Sequence, residues 1–159
     1  PSTDHFRDLV VAKAEYAPPP AGVGGTVWRG ARGDRGTPPS KGFEDAIRAY
    51  SANDLAGAEQ RLAEIGAEDP DRAGARLYLG VSRLLLGRAV EAIEPLEEAS
   101  SGAGGETGDL ARWYLALAFV KTGQAQRAVE PLESLAVRPG PHADEASRLL
   151  ARIRGTTSP

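Results

Sequence analysis

Cysteine and methionine are both absent from the 159 residues. Without a thiol the chain forms no disulfide, holds no thiolate-bound metal and offers no cysteine nucleophile. It is equally indifferent to oxidising and reducing surroundings. Histidine is limited to His5 and His142, too far apart to form a spaced metal motif. Aromatics make up 6% of the chain, lysine occurs only at positions 13, 41 and 121, and Asn53 is the sole asparagine. With arginine supplying the remaining basic charge, the bias suits a GC-rich or heat-adapted bacterium. No run of 18 apolar residues appears, so no segment reads as a membrane-spanning helix. Phosphate-binding loops, nucleophile elbows and His/Glu metal spacings are missing too. Neither an enzyme nor a cofactor is expected. The first residue is Pro1 rather than Met. This is read as a removed leader or an excised fragment, and a processed start implies an extracellular or periplasmic protein.

What is present suits one soluble domain: 41% apolar, 26% charged and a net charge of −3,. The dominant feature is an internal duplication. Residues 75–97 (ARLYLGVSRLLLGRAVEAIEPLE) and 111–133 (ARWYLALAFVKTGQAQRAVEPLE) are identical at 11 of 23 aligned positions. A repeat of this period predicts stacked structural units, each burying its apolar face against the next.

Three parts follow. Residues 1–42 are broken by Pro and Gly every few positions, which predicts an extended arm rather than a helix,. Two stretches within it, 9–16 (LVVAKAEY) and 26–29 (TVWR), have the β-branched and aromatic content of short strands,. Residues 43–154 carry helical spacing throughout, with helix pairs expected over about 43–70, 72–100 and 109–137 and a capping helix over 143–154. The stretch 101–108 (SGAGGETG) reads as a flexible insert, and 155–159 as a tail,.

The turn positions Asn53, Gly87 and Gly123 are each followed at fixed distance by a small residue (Ala58, Ala92, Ala128) and then a leucine (Leu62, Leu96, Leu132). Together with Leu79-Gly80, Leu115-Ala116 and the closing Pro70, this pattern resembles the tetratricopeptide repeat (TPR),. The resemblance covers residues 43–154 and implies an all-α helical solenoid of three pairs and a cap. Two departures stand out. Arg76 and Arg112 occupy the family's early aromatic position, and Pro95 and Pro131 fall inside the second helices, where their equal placement suggests a shared bend,. A narrower resemblance links the FEDAIRAYSANDLAGA and ASRLLARI stretches to the TPR ectodomains of bacterial zinc-finger anti-sigma factors.

TPR geometry implies a concave groove lined by Phe43, Ile47, Tyr50, Leu77, Val81, Leu84, Trp113, Leu117 and Val120. The same residues also read as inter-helix core. The Lys/Asn/Arg set that clamps a peptide carboxylate in some TPR adaptors is absent. An apolar groove of this size needs an occupant, and the arm supplies Leu9, Val10, Val11, Tyr16, Trp28 and Arg29. Its net charge is +2 against −5 for the remainder, so opposite charge favours docking. The expectation is a secreted structural subunit that polymerises by placing its arm on a neighbour. The alternative is a scaffold or sensor ectodomain holding another protein's extended peptide. A nucleic-acid partner is not expected at a pI near 5.5,. Arg32-Gly33-Asp34 is read as part of the Gly/Arg-rich arm, and Glu94, Glu97 and Glu98 as a solvated helix face.

Overall fold

Repeated helix stop signals organise the chain. The computed structural model describes Phe6 and residues 9–14 and 38–157. Among these, seven α-helices run in order: α1 (Lys41–Ser51), α2 (Leu55–Ala63), α3 (Arg72–Leu85), α4 (Ala89–Gly102), α5 (Gly105–Lys121), α6 (Val129–Ala136) and α7 (Ala143–Thr157). A 3-10 segment, Ala125–Ala128, leads into α6. The fold is all-α, and each helix packs on the next, with α3 also touching α5.

The turns α1–α2, α3–α4 and α5–3-10 share one geometry. Asn53, Gly87 and Gly123 have φ of 65°, 79° and 76°. In each, the N–H of this residue donates to the carbonyl three back: Tyr50, Leu84 and Val120. The following N–H reaches the carbonyl five back: Ala49, Arg83 and Phe119. This double bond satisfies carbonyls that a helix end leaves orphaned, and it requires a left-handed residue, hence Gly or Asn.

Local chemistry also starts the helices. Ser40 Oγ accepts from Phe43 N–H at 3.4 Å to cap α1, and Asp54 Oδ1 accepts from Gly57 N–H at 2.9 Å to cap α2,. Close packing needs small residues. A Cβ on Gly80 would stand 2.3 Å from Leu96 Cγ, while Ala92, Ala116 and Ala128 are fully buried. The two arginines that depart from the TPR pattern tie helices together. Arg76 of α3 pairs with Glu98 of α4 at 2.8 Å, and Arg112 of α5 donates to the Ser100 carbonyl of α4 at 3.3 Å.

Three expectations need correction. The 101–108 stretch is not an insert: α4 continues through Gly102, α5 begins at Gly105, and only Ala103-Gly104 lies between. Gly108 permits close packing of the α4–α5 connection, since a Cβ there would meet the Ala103 carbonyl oxygen at 2.2 Å. The paired prolines do not share one local form. Pro95 lies within a continuous α4, where the Glu91 carbonyl, deprived of its helical donor, accepts from Arg83 at 2.9 Å. Pro131 sits in the first turn of α6, just after the 3-10 segment, where a missing N–H costs little. Finally, residues 9–14 are not a strand. The predicted strand 26–29 and Tyr16 lie outside the described residues.

Candidate functional site

The arm segment meets the helices through backbone carbonyls. Tyr50, from the last turn of α1, donates its hydroxyl to the Ala14 carbonyl at 2.5 Å. Tyr114, from the middle of α5, donates to the Ala12 carbonyl at 2.6 Å. Lys13 returns a bond from its ammonium to the Tyr50 carbonyl at 2.9 Å and lies 4.7 Å from the centre of that ring. Tyr50 is braced from behind by Tyr78 of α3, edge-on at 5.1 Å. Burial raises the Tyr114 phenol, and the Glu145 charge adds to it, to about 12. The hydroxyl therefore stays protonated, and remains a donor, across the ordinary pH range.

Side chains alternate between partly buried and exposed over residues 9–13, and Ala14 breaks the pattern. Leu9 and Val11 pack against the core, Val10 is 86% exposed, and Ala14 is buried. The strand expectation for 9–16 rested on β-branched and aromatic content. Tyrosine hydroxyls on helices stand where a partner strand would, so no ladder forms. Further upstream, Phe6 is buried and receives the Arg152 guanidinium of α7 over its ring at 5.1 Å. The described arm residues thus touch α7, α5 and α1.

Among the expected groove residues, Phe43, Ile47, Tyr50, Leu77, Val81, Leu84, Leu117 and Val120 are buried in the common core. Trp113 is partly buried against it. Core packing is therefore where eight of the nine sit, and Tyr50 alone among them makes a hydrogen bond or ring contact with the described arm. Of the expected arm contacts, Leu9 and Val11 are packed and Val10 is not; Trp28 and Arg29 lie outside the described residues. Phe6, Lys13 and Tyr114 were missed by the sequence reading. Tyr114 sits in the duplicated segment opposite Tyr78, so nothing in the repeat singled it out, and Phe6 stands alone between polar residues.

Beside the arm lies a cavity of about 650 Å³. Its walls are Ala12, Lys13 and Ala14 of the arm, Trp113, Tyr114 and Leu117 of α5, and the stretch 138–143 with Glu145. Trp113 and His142 stack at 5.0 Å with planes 8° apart, and His142 Nδ1 lies 2.7 Å from Glu145 Oε2. Among the described residues no group of three or more His, Asp or Glu side chains is placed to hold a metal, and no helix is long and apolar enough to cross a membrane. Comparison with protein-family models, curated proteins and solved structures gives no match.

Proposed function

We propose that this chain is a non-enzymatic TPR-type interaction protein, a helical solenoid of three pairs and a cap, working outside the cytoplasm. It self-assembles by docking residues 6–14 on a neighbouring copy. The solenoid reading is supported by the three identical left-handed turns at Asn53, Gly87 and Gly123. The observation that carries the assembly reading is the grip of Tyr50 and Tyr114 on the carbonyls of Ala14 and Ala12. Every contact the segment makes with its own helices is equally open to the same segment of a second chain, the condition for exchange between subunits. Passed head to tail, such a contact builds a ring or a filament.

Light scattering across a concentration series tests this. The full chain is expected to form higher-mass species, and removal of residues 1–14 to leave a monomer. A full chain that stays monomeric at all concentrations, or polymers that survive the truncation, would overturn it.

A second reading is favoured by one feature: the hydroxyls bind main-chain carbonyls, which any extended peptide offers. The site would then hold a segment of another protein, as a periplasmic scaffold or an anti-sigma-type sensor ectodomain would. A monomeric full chain whose truncated form binds the peptide FRDLVVAKA would favour this reading over assembly.

A further inference from the structure

The cavity beside the arm has features of a ligand site that neither reading above uses. Its volume of about 650 Å³ falls inside the ~300–1,000 Å³ range of small-molecule pockets and exceeds what one inserted side chain needs. One part of its wall is flat and apolar: the stacked Trp113–His142 pair with Leu110, Leu117 and Leu135. Another part is acidic. Glu106, Asp109 and Glu145 line it, against Lys13 and Arg138.

The cations are already engaged. Arg138 pairs with Asp109 at 2.8 Å, and Lys13 is bonded to the Tyr50 carbonyl. Glu145 is held by His142. Glu106, in the first turn of α5, has no bonded partner among the described residues. A flat ring therefore matches the wall, and a positive charge on that ring matches the free carboxylate.

We propose that this cavity binds a small aromatic amine, with its ring against Trp113 and Leu117 and its ammonium at Glu106. Ala12, Lys13 and Ala14 supply one wall, so the site is complete only while the arm is docked. Binding then stabilises the docked form by mass action, whichever chain the arm comes from.

The probe is tryptamine, titrated calorimetrically into the full chain. Indole-3-acetate serves as the comparison, with the same ring and opposite charge. Tryptamine is expected to bind about tenfold more tightly, because the acetate faces repulsion where the amine finds a partner. Glu106→Gln should weaken tryptamine roughly three- to fivefold, the worth of a partly exposed ion pair, and Trp113→Ala should abolish binding. Should Trp113→Ala fail to fold, the Glu106→Gln arm still decides. A second readout follows the linkage: saturating tryptamine should slow tryptic cleavage at the Lys13–Ala14 bond, where indole-3-acetate does not. Equal affinity for the two indoles, no binding of either at 10 mM, or unchanged cleavage with tryptamine bound would each overturn the proposal.

Discussion

The helical body and the arm segment are built by different interactions. The body is held by interdigitated side chains, such as Leu96 seated on Gly80 at less than an ordinary Cβ contact, and by ion pairs between helices. Glu59 of α2 receives both Arg83 of α3 and Arg88 of the next turn, tying three consecutive elements. The described arm residues are held by two tyrosine hydroxyls, one lysine, Arg152 over the Phe6 ring and apolar side chains packed against the core. These contacts are separate from the helix-to-helix packing, which their loss leaves in place. Detachment without unfolding is the property an exchangeable segment requires, and perturbations of the two regions should separate cleanly.

The largest effect is expected from Leu96→Ala, which opens a cavity at the α3–α4 contact. It should lower global stability by about 2–5 kcal/mol in denaturant melts without altering how the arm docks in the molecules that remain folded. Next comes Glu59→Gln, expected to cost about 1–3 kcal/mol through the loss of charge-assisted bonds to Arg83 and Arg88. This site also sets an acid limit. Burial pushes the Glu59 carboxyl up, but Arg83 and Arg88 outweigh it and hold the group below its ordinary value. A depressed folded-state value means the contribution is present above the unfolded value and is lost as pH falls through the folded one. Glu59→Gln should flatten that acid-side loss in pH-dependent melts.

Gly87→Val and Gly123→Val place a β-branched residue at φ near +75° and should each cost about 1–2 kcal/mol. Asn53→Gly, at the equivalent turn, should be near neutral, since glycine tolerates the same φ. A large loss there would mean the three turns are not equivalent.

Tyr114→Phe should leave global stability within about 1 kcal/mol of the parent while speeding release of the arm. The same residue sets an alkaline limit of opposite sign to that of Glu59. Its folded value is raised to about 12, above the ordinary phenol value near 10. Its contribution is therefore present below pH ~10 and fades as pH climbs through about 12. Arm release should accelerate over that window in the parent and not in Tyr114→Phe.

How much of this was legible in the sequence depends on how far each signal is local. Asn53, Gly87 and Gly123 were readable because a left-handed turn tolerates few residue types, so spacing alone exposed three equal turns. Ala92 and Ala128 were readable for a similar reason, as only small side chains fit where helices nearly touch. Context decided the rest. Pro95 and Pro131 are equivalent in sequence, yet one sits inside a helix and the other at a helix start, because the segment before Pro131 tightens into a 3-10 turn. The glycine-rich stretch 101–108 looked like looseness, yet Gly108 sits where a Cβ would strike the Ala103 carbonyl and Gly105 takes a left-handed φ of 59° at the start of α5. The arm's β-branched content was visible, but not that helical tyrosines would stand in for a partner strand. Nor did spacing separate groove from core: Phe43, Leu77 and Val81 are apolar in either role, and their burial follows from what covers them.

Assembly turns on the contact between Ala14 and Tyr50, which isotope-filtered NMR on a mixture of labelled and unlabelled full-length chains reads directly. Exchange between subunits gives cross-peaks between the Ala14 methyl and the Tyr50 ring, and between Ala12 and Tyr114, that pass from labelled to unlabelled chains. Cross-peaks confined to single labelled chains would contradict exchange between subunits, and the absence of any such cross-peak would contradict docking itself.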